Sequence, residues 1–495
     1  LATQFDSSKD TDVVVIGGGP GGYPAAIRAA QLGARVVCVE ADQLGGTCLN
    51  WGCMPTKTMI GSVAALHTLR HASDFGLSAE NVTFDFTKVM GRKEKIVKQL
   101  TGGVGYLLKK HKIRHVRGFG SVVDANTVKV VAADGTSETI TTSAIVLATG
   151  SVPTKVPIPG IEDADIWVPN SEVGKRFVEG KLADGAVWTS NEAVSAKQVP
   201  AEMVVVGGGV IGCEFAFTYN GFGSKVTVLE YLPRVVATMD EDLSKELDKI
   251  LRKSGVEIKT GVKVTGVTKA DGRNLVSYAG EDGVEHQVAA DVVLVATGRT
   301  PYTDGLGLEN VGISLGSPKG RRAIAVDSKM RTSVTGIYAV GDVVGSGLAH
   351  TATAEGLVAA ENICGHDATM NYKAIPACIY TEPELASVGL TEAQAKEQGY
   401  DVAIGRFDFR SLGKALAIND NQGFVKIVSE KKYGEILGVH IIGPHATDLI
   451  HEGVVSIQLE NTVEELMHTV HAHPTLGEAI MQAAEDVKGL AIDKG

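Results

Sequence analysis

"TDVVVIGGGPGGYPAAIRAAQLGARVVCVE" occupies residues 11–40. Val13 to Ile16 are an apolar, β-branched run, which predicts a buried strand. Three glycines follow, Gly17, Gly19 and Gly22. Residues 22–32 then predict a small-residue helix that can lie close on a sheet, and a second apolar strand ends in Glu40. Strand, glycine loop, helix, strand and acid together form a dinucleotide fingerprint in its working context. The first glycine makes the tight turn, the second lets backbone approach a pyrophosphate, and the third lets helix and strand pack closely. The helix N-terminus offers free N–H groups to phosphate, and Glu40 can hold a ribose hydroxyl.

Residues 203–230, "MVVVGGGVIGCEFAFTYNGFGSKVTVLE", repeat the pattern with Gly207, Gly209, Gly212 and Glu230. The acid follows the first glycine by 23 residues in both copies. "AIVLATGS" (144–151) and "DVVLVATGRT" (291–300) are also near-copies, and "GIYAVGDVVG" (336–345) adds a third strand with Asp342 at its end. The expected fold is α/β, with two Rossmann-like dinucleotide-binding units, the second inserted in the first. Residues 1–160 and 288–360 are assigned to the first unit and 161–287 to the second. Residues 361–495 change texture, with "FVKIV" and "ILGVHIIG" as strands before helical "ATDLIHEGVVSIQLE" and "TVEELMHTV". They read as a C-terminal α+β domain. Roughly 165–185 looks like a surface insertion, which blurs the boundary there.

The 495 residues are too many for one core. A net charge of −11 argues against a general nucleic-acid binder. No apolar run is long enough to span a membrane. "LATQFDSSKD" carries neither a basic region nor an apolar core, so no secretory signal is expected.

Of six cysteines, Cys38, Cys213, Cys364 and Cys378 stand singly in apolar or small-residue surroundings and read as buried small hydrophobes. Cys48 and Cys53 are the close pair, in "GGTCLNWGCMPTK" (45–57). A structural zinc site needs four ligands, and no second pair exists. A static disulfide would be unusual without a secretory signal. The third and leading reading is a redox couple. In a regular helix residues five apart have Cα atoms about 8–9 Å apart, whereas a disulfide needs less than about 7 Å. The segment 48–53 is therefore expected to break helical geometry if the bond forms, with room at Gly52. Pro55 suits the first turn of a following helix, whose N-terminus would favour a Cys53 thiolate.

"GGTCLNWGCMPTK" closely resembles the redox motif of the class I flavin disulfide reductases, within them the dihydrolipoamide dehydrogenases. The resemblance runs from about residue 11 to 490 and includes "VGDVVG", "YTEPELASVGLTE" and "HAHPTLGEA". It implies FAD on the first unit, NAD on the second and a Cys48–Cys53 disulfide against the flavin. Cys48 would exchange with substrate, and Cys53 would face the flavin. Lys57 matches a lysine beside the flavin and is expected to pair with Glu214. Gly120, Thr149, Gly150, Ser151, Asp342 and Ala349 match FAD contacts, and Val264 and Gly298 lie near the NAD. The helix opened by "LAHTATAEG" (348–356) would point its N-terminus at the flavin. In the departures Trp51, Met54 and Thr56 the motif changes volume rather than chemistry.

Dithiol oxidation needs a base with a pKa near neutrality. His473, stiffened by Pro474, has Glu478 five residues on to fix its ring. The resemblance makes His473 the acid/base and Glu478 its partner, supplied by the other subunit of a homodimer, with His471 structural. Glu230 at its strand end favours NAD over NADP, with Arg234 subordinate. The tail lacks the extra cysteine pair of mercuric reductase or of the large thioredoxin reductases. The implied activity is oxidation of dihydrolipoamide carried on a lipoyl domain of a 2-oxo acid dehydrogenase or glycine cleavage complex, with NAD+ as acceptor. It would take place in bacterial cytoplasm or mitochondrial matrix. Another NAD(P)H-dependent disulfide reductase and a non-catalytic flavoprotein component are the alternatives.

Overall fold

The computed structural model describes residues 5–161, 187–317 and 320–494. The expected 165–185 insertion lies outside the described residues. Thr11–Ile16 is buried at every position because it sits inside a sheet covered on both faces. It pairs in parallel with Val36–Glu40 and with Ser137–Leu147. Arg114–Arg117 forms the outer edge beyond Val36–Glu40. On the other side Ser137–Leu147 is long enough to join a second pairing, antiparallel to Thr127–Val131, which in turn pairs with Phe119–Asp124. The sheet gains a further parallel strand, Ile337–Ala339, beside Ser137–Leu147. That strand comes after the whole second unit in sequence, so the second unit is inserted in the first.

The second unit has a five-stranded sheet of Glu257–Lys259, Lys225–Leu229, Glu202–Val206, Val292–Val295 and Val187–Trp188, in that order. An antiparallel sheet of Lys263–Ala270, Arg273–Ala279 and Glu285–Ala290 accompanies it. The expected boundary at 287 is therefore corrected. It falls inside the strand Glu285–Ala290, and Val292–Val295 pairs with Glu202–Val206 of the second unit. The physical reason is symmetry. "AIVLATG" lies beside Thr11–Ile16 in the first unit as "DVVLVATG" lies beside Glu202–Val206 in the second. The chain crosses between units through two short strands, Ser151–Pro153 and Arg299–Pro301, paired antiparallel.

The tail builds a five-stranded antiparallel sheet, Ala377–Ile379, Glu384–Gly389, Ile436–Gly443, Phe424–Glu430 and Val402–Asp408. The helices Ala446–Gln458 and Glu478–Val487 cover it through Ile450, Ile457, Ile480 and Ala483.

One helix ties the units together. Cys53–Arg70 buries Met59, Val63 and Leu66 in the same core as Phe215 and Tyr219 of the helix Val210–Gly221. Each large apolar side chain so buried contributes about 1.5–3 kcal/mol. The approach is close at Gly221, where a Cβ would lie 2.2 Å from Val63 Cγ1.

Candidate active site

Both glycine loops are built alike. Gly17 has φ +109° and Gly207 φ +106°, a left-handed backbone that glycine adopts without steric cost. A Cβ on Gly22 would lie 1.8 Å from the Gly17 carbonyl oxygen, and one on Gly212 would lie 1.9 Å from that of Gly207. These third glycines pack beneath the loops. The strand-end acids then clamp each loop. Glu40 accepts from the Gly18 N–H at 2.7 Å and the Asp42 N–H at 2.8 Å. Glu230 accepts from the Gly208 N–H at 2.5 Å and the Leu232 N–H at 2.6 Å. Arg234 donates to the carbonyls of Met239 and Ala237 at 3.0 and 2.9 Å, so its guanidinium is engaged in its own loop.

A cavity of 1590 Å³ joins the two units. It is larger than a usual small-molecule pocket of about 300–1,000 Å³. Its walls include Gly17, Gly19 and Glu40 from the first loop and Gly207, Gly209 and Glu230 from the second. Gly120, Thr149, Gly150, Ser151, Asp342 and Ala349 reach it from the first unit, and Val264 and Gly298 from the second. The helix Ala349–Ile363 abuts it with an N-terminus that no side chain caps. These glycine cradles, uncapped N–H groups and clamped acids fit an FAD on the first unit and an NAD on the second.

Cys48 and Cys53 also line the cavity. Gly46–Asn50 is a short helix holding Cys48, the chain breaks at Trp51 and Gly52, and a new helix starts at Cys53 with Pro55 in its first turn. The loop lies against the first glycine loop, with the Gly45 N–H donating to the Gly18 carbonyl at 2.8 Å. Both cysteines are free thiols here and share a hydrogen bond. That bond, with burial, pushes Cys48 upward. It draws Cys53 below the usual thiol range, and the Lys57 ammonium does the same against the opposing effect of burial.

The expected Lys57–Glu214 pair forms. Lys57 Nζ lies 2.7 and 2.8 Å from the two Glu214 oxygens, bridging the units across the cavity. One partner of this pair, Tyr380, escaped the sequence reading and touches both its members. The Tyr380 N–H donates to Glu214 at 3.1 Å, and the Tyr380 ring lies 4.5 Å from Lys57 Nζ. Arg299 was missed as well. It donates to Ser151 Oγ at 2.8 Å and to the Ser151 carbonyl at 2.6 Å, and Ser151 Oγ donates to Asp342 at 2.5 Å. Burial draws the Arg299 guanidinium below its usual range, with Asp342 and Cys53 opposing. The signal was present in "ATGRT", where Arg299 directly follows Gly298. Trp51 is also more than a volume change, because it hydrogen-bonds the Asp42 carboxyl.

His473 and Glu478 do not line the cavity of their own chain. His473 Nδ1 lies 2.9 Å from Glu478 Oε1, and the Thr475 N–H donates to the other Glu478 oxygen at 2.8 Å. Burial would raise the Glu478 carboxyl, but the Thr475 N–H and the His473 ring outweigh it and leave it below the usual range. The His473 side chain is 79% exposed. His471 instead packs its ring inward against Glu452, with Nε2 at 2.8 Å.

The family described as pyridine nucleotide-disulphide oxidoreductase matches residues 11–356, and its dimerisation domain matches 375–484. The chain belongs to the pyridine nucleotide-disulphide oxidoreductases. Among the relatives of this oxidoreductase is a dihydrolipoyl dehydrogenase of Geobacillus stearothermophilus, 43% identical, with 98% of each chain covered. A mitochondrial dihydrolipoyl dehydrogenase of Pisum sativum is 39% identical over 96% of this chain and 91% of the relative. Among solved structures, LpdA from Mycobacterium tuberculosis superposes with a TM-score of 0.85 at 28% identity, covering 96% of this chain and 99% of that one. The oxidoreductase's tail is thus a dimerisation domain, and the chain forms a homodimer. Among the described residues no helix is long and apolar enough to cross a membrane.

Proposed function

We propose that this oxidoreductase is a dihydrolipoyl dehydrogenase, which passes two electrons from a protein-bound dihydrolipoamide to NAD+. The observation that carries the reading is one cavity holding both glycine loops, with the Cys48/Cys53 couple and the Lys57–Glu214 bridge between them. The relatives named dihydrolipoyl dehydrogenase supply the substrate class. Overall, dithiol and NAD+ become disulfide, NADH and a proton.

In the oxidised enzyme Cys48 and Cys53 form a disulfide. A substrate thiolate attacks Cys48, and Cys53 leaves as thiolate, stabilised by Lys57 and by its place at a helix N-terminus. The second substrate thiol then displaces Cys48, closing the lipoamide disulfide and leaving both enzyme thiols reduced. His473 of the partner subunit accepts the substrate proton, held in orientation by the partner's Glu478. Bound FAD supplies the two-electron relay from this thiol pair to the nicotinamide. Glu40 and Glu230 hold ribose hydroxyls, and the clamped Glu230 favours NAD over NADP. The lipoyl group comes from a partner protein of a 2-oxo acid dehydrogenase or glycine cleavage complex. The compartment is bacterial cytoplasm or mitochondrial matrix.

Anaerobic titration with dihydrolipoamide tests this. Wild type is expected to develop the long-wavelength absorbance that a Cys53 thiolate beside the flavin produces. Cys48→Ser is expected to keep its FAD but lose turnover on the order of a thousandfold or more. Normal turnover in Cys48→Ser refutes the couple. A response to NADH but not to dihydrolipoamide means another disulfide is the substrate.

A further inference from the structure

Outside the cavity lining, one lysine is almost wholly buried among carboxylates. Lys426, in the strand Phe424–Glu430 of the C-terminal sheet, has a side chain 3% exposed. Its Nζ lies 3.0 Å from Asp240, 2.6 Å from Asp242 and 2.8 Å from Glu392. His440, opposite Lys426 in register, completes the cluster and is itself bonded to Ser387 Oγ and the Leu390 carbonyl. Asp240 and Asp242 belong to the second unit, so the contact joins two domains. A charge this buried is tolerated only with full pairing, and removing one partner leaves the other uncompensated.

The carboxylate it holds has a particular place. Asp240 caps the helix Glu241–Lys253 through the Asp242 N–H, and it ends the segment that follows Glu230. Within that segment Tyr231, Leu232, Thr238 and Met239 line the cavity on the second-unit side. Its middle is strained. Val236 has φ +42°, where a β-branched residue is an outlier. Such a conformation persists only where neighbours over-determine it. The neighbours are visible: Val236 N–H donates to the Gly208 carbonyl, Arg234 holds Ala237 and Met239, and Ser244 Oγ donates to the Val235 carbonyl. Asp240 is the far end of this brace, and Lys426 fastens it from another domain.

We infer that Lys426 is a positioning residue for the second nucleotide site: through Asp240 it fixes the pocket wall 231–240, so nicotinamide-nucleotide affinity depends on how the second unit is seated on the C-terminal sheet. This rests on the reading of the second unit as the NAD site. Lys426 itself does not line the cavity.

The test uses full-length holoenzyme carrying Lys426→Met. Because an uncompensated Asp240 can unfold the protein, the double variant Lys426→Met/Asp240→Asn is measured beside it. Both are expected to raise KM for NAD+ and Kd for NADH about tenfold. FAD content and the rate of flavin reduction by dihydrolipoamide stay within about twofold. A general structural defect would move both halves of the reaction together. Unchanged KM for NAD+ in a folded double variant overturns the positioning role while leaving the nucleotide assignment intact. A wild type that binds no NADH overturns both.

Discussion

The two glycine loops are nearly identical as binding devices, and they differ in the stretch of chain that each one leads into. Each has a left-handed first glycine, a third glycine wedged under the loop and an acid accepting two backbone N–H groups. After Glu40 the chain runs in a few residues to Cys48 and the helix Cys53–Arg70. After Glu230 it runs into the braced wall 231–240 and carries no thiol chemistry. Their helices also face different neighbours. Gly22–Gln31 packs on Ala349–Ile363, where a Cβ on Gly356 would lie 2.3 Å from the Gly21 carbonyl. Val210–Gly221 packs on the redox helix. A duplicated binding unit thus acquires a distinct task through the segment after its second strand and through the helix that covers it.

Matched substitutions separate the two halves. Gly22→Ala and Gly212→Ala place nearly the same clash, costing about 3 kcal/mol or more of overpacking, in equivalent loops. Gly22→Ala is expected to purify without FAD and without activity. Gly212→Ala is expected to keep FAD and its reduction by dihydrolipoamide while losing NAD+ saturation. Flavin absorbance and steady-state kinetics check both. Identical phenotypes would mean that the loops are not independent sites.

Lys57→Met cuts the bridge between the halves. It leaves the buried Glu214 carboxylate with the Tyr380 N–H alone, an expected loss of about 3 kcal/mol in denaturant unfolding. It also has a pH signature. A thiol whose pKa is depressed stays a thiolate to lower pH, and removing the ammonium raises that pKa. In the dithiol-reduced enzyme the long-wavelength absorbance of the Cys53 thiolate is therefore expected to be lost at higher pH than in wild type as the solution is acidified, and to return as pH rises. An unmoved transition would show that Lys57 does not act on Cys53.

Glu230→Ala has the smallest expected effect. It releases the N–H groups of Gly208 and Leu232 and removes the carboxylate that repels a 2′-phosphate. The NADH-over-NADPH preference is expected to shrink about tenfold, read from KM values for both nucleotides. Equal preference before and after would place the discrimination elsewhere.

Much of this was legible in the chain. Glycine spacing, strand-end acids and the tail runs "FVKIV" and "ILGVHIIG" fall on the observed loops and strands, because each is a local pattern with a local cause. Less legible were features that depend on which elements meet. The run at 292–295 reads as a buried strand, but nothing local says which of two parallel sheets it completes. Arg299 and Tyr380 act through partners 148 and 166 residues away. Lys426 stands in a strand whose first six positions are all buried, so alternation gave no hint that its side chain points into a neighbouring domain.

The inserted topology also orders events in time. Strand Ile337–Ala339, Asp342 and the helix Ala349–Ile363 complete the first sheet and its cavity, yet they come after the entire second unit. Domains fold as units while the ribosome delivers the chain from its N-terminus. The second unit is therefore delivered whole while the first still lacks one sheet strand and part of its cradle. Flavin capture is therefore expected late in the synthesis of each subunit, and a nascent chain halted near residue 300 is expected to carry a finished second nucleotide fold beside an open first one.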